Sequence, residues 1–273
     1  MSETYYDLTQ VSLDDSVLVS EYRSHPATTG PWAPNLQHGG PPNALAVAAA
    51  EQVVEQITGR TDLTALRLAS DFVGPVPVAD LEVRAKVVRA ARSAVLAAVI
   101  IAAGGRDCLI SRVWFVRDAD TSAQAAPPQA AVELPDGLPG LDADFGYGAS
   151  LEWRRLSGGL LERGPGAAWA RATTALFDGY QWSGLARAVL VADSGNGLSS
   201  ELDWSQWSFL NVDLDVHLAR PLLGEWVLLD AVTQLGAHGS ALARSTISDR
   251  HGVVGAGLQT LVVAPIRAAK PTG

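Results

Sequence analysis

The sequence predicts an α+β fold made of two tandem repeats, each an antiparallel sheet wrapped on one helix, and three observations carry that reading. Two stretches offset by about 146 residues run through the same order of strands and turns. An alanine-rich helical segment precedes the first strand set, and a shorter apolar segment precedes the second. Between the halves Pro127, Pro128, Pro135 and Pro139 stand among small and acidic residues, a composition that resists regular structure. The expected division is residues 1–118 for the first repeat, 119–147 for a linker and 148–273 for the second repeat.

In the first repeat the helix is expected over residues 44–57, with Pro41 and Pro42 in its opening turn and Gly59 as its stop. Ala44, Ala46, Ala48, Ala49 and Ala50 leave little side-chain bulk, so a sheet can wrap closely around it. Strands follow over residues 66–75, 81–88, 93–103 and 108–117, with a Gly104-Gly105-Arg106-Asp107 turn before the last. In the second repeat residues 183–191 form the helix, Leu185, Val189 and Leu190 giving it an apolar face, and residues 193–197 (Asp-Ser-Gly-Asn-Gly) end it. Its strands are expected over 209–221, 226–233, 240–248 and 253–263, with a turn at 249–252. Each half thus has about four strands. The alternative is a single continuous α+β sheet with an irregular loop, against which the repeat argues.

Composition excludes several functions. Hydrophobic residues at 48% of 273 can fill a substantial core, which excludes a disordered chain. Charged residues are 18% and the net charge is −9, so no electrostatic footprint for nucleic acid exists. Cys108 is the single cysteine, which excludes an intrachain disulfide framework and fits a reducing compartment. The start of the chain carries no basic and apolar leader, and the most apolar run, 94–103, is half the ~20 residues a membrane helix needs. A cytoplasmic protein without a membrane span is expected. No Gly-x-Ser-x-Gly elbow, P-loop or dinucleotide fingerprint occurs, and His25, His38, His217, His238 and His251 have no metal-ligand spacing. Neither a cofactor nor a metal is expected.

Several segments, in order, carry a resemblance: residues 37–45 (Gln-His-Gly-Gly-Pro-Pro-Asn-Ala-Leu), 71–77 (Asp-Phe-Val-Gly-Pro-Val-Pro), 211–221 (Asn-Val-Asp-Leu-Asp-Val-His-Leu-Ala-Arg-Pro), 224–226 (Gly-Glu-Trp) and 257–260 (Gly-Leu-Gln-Thr). From about Gly30 to Val263 the chain resembles the TesB-like (type II) acyl-CoA thioesterases. The resemblance implies a double hotdog fold, with an acyl-CoA entering between two side-by-side sheets. It also implies a catalytic set of Asp, Thr or Ser, and Gln from the second repeat. Matched by motif, these are Asp213, Thr233 and Gln259, with Gln234 in the hydroxyl position if the match shifts by one residue and Asp215 the nearest rival base.

Thioester hydrolysis needs an activated water and a polarised carbonyl, while a thiolate leaves readily. Asp213 would take the water's proton, with Gln259 and Thr233 holding that water in line. Strand alternation sets Asn211, Asp213, Asp215 and His217 on one face, which gathers polar groups at a site or else simply meets water. His38, Gly39 and Gly40 precede the first helix, where free N–H groups and the dipole can stabilise an oxyanion; the plain alternative is a tight turn. Asp71 is a further substrate-binding candidate, or else a turn residue or a partner for Arg67. At the counterpart of Gln259 the first repeat has Val113 or Trp114, so one site per chain is expected, in the second repeat. Trp32 and Trp207 are candidate walls of an acyl tunnel; the other tryptophans suit the core.

Two other functions fit the same residues. A hotdog enoyl-CoA hydratase would need an Asp and a His poised together, and Asp213 and His217 stand about 13 Å apart by strand rise. An acyl-CoA-binding protein would bind without turnover. Edge strands left by each half give a motive for a homo-oligomer.

Overall fold

The structure, a computed structural model, describes residues 4–125 and 132–266; Pro127 and Pro128 lie outside them. In chain order the first half is β1 (Tyr6–Asp14), β2 (Val17–Ser24), α1 (Gly40–Thr58), β3 (Leu63–Phe72), β4 (Asp80–Ala90), β5 (Ala94–Ala103) and β6 (Arg106–Arg117). The second half is α2 (Gly146–Ala149), β7 (Leu151–Ser157), β8 (Gly166–Ala172), α3 (Gly184–Ala192), α4 (Gly195–Leu198), β9 (Trp207–Asn211), β10 (Asp213–Leu218), β11 (Val227–Leu235), β12 (Ser240–Asp249) and β13 (Gly252–Pro265). The sheet order β1-β2-β4-β5-β6-β3 recurs as β7-β8-β11-β12-β13-β10. The repeat seen in the sequence is therefore a repeat of topology, and the fold is a double hotdog.

The two sheets meet edge to edge. β3 pairs antiparallel with β10, from Asp71 opposite Asp213 to Arg67 opposite His217, and thirteen strands form one continuous sheet. Pairing the last strand of each half satisfies N–H and C=O groups that would otherwise stand open at two edges. The expected pair of side-by-side sheets and the continuous-sheet alternative thus describe one object.

α1 is buried on every side from Gly40 to Ala50. Only small side chains allow a sheet to approach a helix from all directions, and alanine loses no rotamer entropy on burial. The helix begins at Gly40, earlier than the alanine run; Pro41 and Pro42 fit its first turn, where a missing N–H costs nothing, and Gly59 in the left-handed conformation (φ +61°) ends it. α3 starts as expected, with the Ser183 hydroxyl accepting from Ala186 N. It ends at Ala192 with Asp193 as its C-cap, where the expected stop begins, and the chain then enters the short α4.

Each half has two strands before its helix that residue patterns did not reveal. β1 is exposed beyond Tyr6, so no core-facing alternation marks it; its hairpin to β2 turns at Asp15 and Ser16, both with positive φ. The expected linker holds a 3-10 turn at Ser122–Gln124, and α2 begins within its last residues. One buried cluster runs through both halves, with α1 packed on α3. Among the described residues no helix is long and apolar enough to cross a membrane.

Candidate active site

A cavity of about 540 Å³ opens between the halves. Trp32, His38, Gly39 and Phe72 line it from the first half, and Asp193, Asn211, Phe209 and Trp204 from the second. Most of its wall is apolar; the polar groups gather around one carboxylate.

That carboxylate is Asp193, at the break between α3 and α4 and 3% exposed. His38 Nδ1 lies 2.9 Å from its Oδ2, and Asn211 Nδ2 donates to its Oδ1 at 2.8 Å. Gln259 Nε2 donates to the Asp193 carbonyl at 3.1 Å and reaches Oδ1 at 3.4 Å. Gln259 Oε1 in turn accepts from Asn196 N in α4 at 3.1 Å. Four parts of the chain thus converge: the entry to α1, the α3–α4 break, the end of β9 and the middle of β13. His38 is held flat against Tyr147, ring centroids 3.8 Å apart and planes at 6°. Tyr147 is anchored by donating to Leu190 O at 2.7 Å.

Close backbone approach makes this convergence possible. A Cβ at Gly39 would stand 2.6 Å from the Phe72 ring and 2.7 Å from Asp193 Oδ2, and one at Gly40 would stand 2.4 Å from Leu190 O. Pro41 and Pro42 have no N–H, and Gly40 N is directed at His38 Nδ1 at 3.2 Å. Of the N–H groups that open α1, that of Gly39 has no acceptor among the described residues. The oxyanion-binding feature expected of this turn therefore narrows to one donor, beside Asp193.

The expected residues separate into two groups. Gln259, His38 and Gly39 meet at Asp193, and Gly40 supports them. Asp213 does not join them. It lies across β13 from Gln259's face, with its carboxylate accepting from the Thr260 N–H and, at 3.0 Å, the Thr260 hydroxyl. The reason is a one-residue bulge: Asn211 pairs with Leu261 and Asp215 with Leu258, so three residues between those pairs on one strand oppose two on the other. Val212 is the extra residue, its N–H reaching Thr260 O at 2.9 Å and its C=O accepting from Phe72 N at 2.8 Å. The expected shared face of Asn211, Asp213, Asp215 and His217 is thereby broken, with Asn211 turned inward and the rest outward.

Thr233 is buried and shares a 2.8 Å hydrogen bond with Ser199, whose hydroxyl donates to Gly195 O. It braces α4 through Ser199, and among the described residues it makes no hydrogen bond to Asp213 or Asp193. Gln234 and Asp71 are exposed on the outer face, Asp71 directly opposite Asp213. Trp32 lines the cavity; Trp207 does not, and Trp204 stands there in its place. Asp193, Asn211 and Asn196 were not singled out as site residues. The available signal was an Asp-Ser-Gly-Asn-Gly run directly after a helix whose one charged residue is Arg187, read only as a stop. Among the described residues no three His, Cys, Asp or Glu side chains group as for a metal.

A continuous sheet over two central helices, with a carboxylate and amides in the wall of an apolar cavity, defines a double hotdog thioester hydrolase. The chain belongs to the acyl-CoA thioesterase family: its N-terminal domain model matches residues 28–116 and its C-terminal domain model matches 120–263. Among solved structures, a putative thioesterase from Novosphingobium aromaticivorans is similar at a TM-score of 0.71 and 22% identity, covering 93% of this chain and 97% of that one. Acyl-CoA thioesterase II TesB2 from Mycobacterium marinum is similar at 0.69 and 16%, covering 97% of each chain. A putative oleoyl thioesterase from Lactobacillus plantarum is similar at 0.56 and 10%, covering 92% and 97%. Among curated proteins none matches the chain.

Proposed function

We propose that the chain hydrolyses an acyl-CoA to the free acid and CoA, with Asp193 as the base that activates water. The observation that supports this most is the convergence of His38, Asn211 and Gln259 on that one buried carboxylate at the cavity wall. Contacts from His38, Asn211 and Gln259 aim the carboxylate, which keeps lone-pair capacity for a water. The water's oxygen attacks the thioester carbon as its proton passes to Asp193, and the carbonyl oxygen takes up charge facing the Gly39 N–H. The C–S bond then breaks, and the thiolate leaves with that proton. Gln259 ties the Asp193 backbone to α4, so the carboxylate is held before substrate arrives.

Asn211, and not the expected Thr233, hydrogen-bonds this carboxylate, so an amide would be the group that orients carboxylate and water. General base assistance is worth about 10²–10⁴ in rate. Asp193→Asn is therefore expected to lower kcat by about 10³ with an unchanged circular dichroism spectrum, and Asp213→Asn to retain most activity. Both are read by release of free thiol from acyl-CoA, which also separates hydrolysis from hydration of an enoyl thioester and from binding alone. Full activity in Asp193→Asn, or its loss in Asp213→Asn alone, would reject the assignment.

A further inference from the structure

The sheet face turned away from α1 and α3 carries three adjacent rows of side chains, fixed by strand register. Across β3, β10, β13, β12 and β11 one row reads Arg67, His217, Ala256, Thr246 and Asp230. The next reads Ala69, Asp215, Leu258, Arg244 and Val232. The third holds Asp71 and Asp213, then Thr260, bonded to Asp213 beside the bulge, then Leu242 and Gln234. These rows stay open to solvent: Leu258, Leu242 and Val232 are 42%, 38% and 37% exposed, and Val262, next along β13, is 51% exposed. The solvent face of an antiparallel sheet ordinarily alternates to polar residues, so apolar side chains along three neighbouring strands mark an interaction surface.

The charges on this face are arranged about β13. Arg244 lies one strand to one side of it and Asp215 one strand to the other, in the same row, while Asp230 and Arg67 lie two strands out on opposite sides. Within the chain Arg67 stands 3.6 Å from Asp215, whereas Arg244 and Asp230, both exposed, have no ion-pair partner among the described residues. A two-fold axis lying in the contact plane along β13 would exchange the two sides. Arg244 of one copy then meets Asp215 of the other, Arg67 meets Asp230, and Thr246 meets His217. Val232 meets Ala69, Gln234 meets Asp71, and Asp213, tied to Thr260, faces Leu242. Ala256 and Leu258 meet their own copies. No position sets a charge against one of the same sign, which is the self-complementarity that an isologous contact requires.

We propose that this face is the interface of a two-fold homodimer, with a second copy of the chain as its occupant. The β3 and β10 edges, which could have joined separate chains, are paired with each other, so a face and not those edges joins the copies. With strands about 4.8 Å apart and outward residues about 6.8 Å apart along β13, the rows and Val262 cover roughly 24 by 27 Å. That is about 650 Å² in plan before side-chain relief is counted, near the ~800 Å² that each partner gives to a stable interface. Ile110 and Trp114 of β6 continue the face beyond β3. Packed sheets stand about 10 Å apart, a gap that an arginine from one side and an aspartate from the other can bridge.

The test is sedimentation velocity on the full chain, which is expected to run as a dimer. Arg244→Glu sets two carboxylates face to face at both symmetry-related contacts and is expected to run as a monomer with an unchanged circular dichroism spectrum; Asp215→Arg is expected to do the same with two cations. An equimolar mixture of those variants has opposite charges at both contacts and is expected to return to dimer, which a contact through another face would not do. Leu258→Asp places like charges on the axis, is expected to be monomeric, and decides the matter if either charge variant loses its fold. A monomeric unsubstituted chain leaves the face to another partner or to water and overturns the proposal. So does an undiminished dimer in any folded variant, or a mixture that stays monomeric.

Discussion

Asp249 is fully buried at the end of β12 and shares its carboxylate among Arg220, at 2.5 and 2.8 Å, and the N–H groups of Leu223 and His251, at 3.0 and 2.8 Å. Burial alone would raise its pKa, but the guanidinium and the two N–H donors outweigh it and hold the carboxyl below its ordinary value. A lowered folded value means stability that is present above the unfolded pKa of about 3.9 and lost as pH falls through the folded one. Asp249→Asn is expected to cost about 2 kcal/mol at pH 7, below the usual range for a broken buried pair because Arg220 keeps some solvent. The gap to the unsubstituted chain should narrow below about pH 4 in urea unfolding. A constant gap across pH would refute the charge argument. Arg220-Pro221 was legible as part of a motif, but the partner at Asp249 was read only as a turn residue. The reason is physical: which carboxylate a guanidinium finds depends on strands brought together across 29 residues.

At the scale of elements, α1 and α3 pack with a carboxyl near their contact. Tyr180 donates to Glu51 Oε2 at 2.8 Å, with Ser183, the α3 cap, beside it. Burial raises the Glu51 pKa, only partly offset by hydrogen bonds from Ser183 and Tyr180. A raised acid pKa gives the opposite pH dependence to Asp249: stability is full while both states are protonated and declines as pH rises from the unfolded value through the folded one. Glu51→Gln is expected to raise Tm at pH 7 by about 2–4 °C and to make no difference near pH 4. A lower Tm at pH 7 would show that the charged form is the better partner of Tyr180. The helices were readable from alanine content, caps and stops because those depend on neighbours in sequence. The Val212 bulge was not, since an extra residue in a strand shows only against its partner. That one residue decides which side of the sheet Asp213 occupies.

For the whole molecule, the β3–β10 seam makes the two halves a single sheet and brings His38 to Asp193. Residues 1–118 expressed alone would lack the carboxylate and leave the β3 edge unpaired. Such a fragment is expected to release no thiol from any acyl-CoA and to self-associate in size-exclusion chromatography. A monomeric, active fragment would contradict a site shared between halves.

Much of the fold followed from local chemistry in the sequence. The small residues of α1, the prolines at its entry, the strand runs and the recurrence at about 146 residues specify two like units, because periodicity and turn preference act over short stretches. The tertiary structure alone decided how those units share a sheet, that the helix after Ser183 breaks at a buried aspartate, and that His38, Asn211 and Gln259 converge on it. Burial and pairing are properties of segments distant in sequence, so which carboxylate faces the cavity, Asp193 at the helix stop or Asp213 on the strand, is settled only when the sheet closes around them.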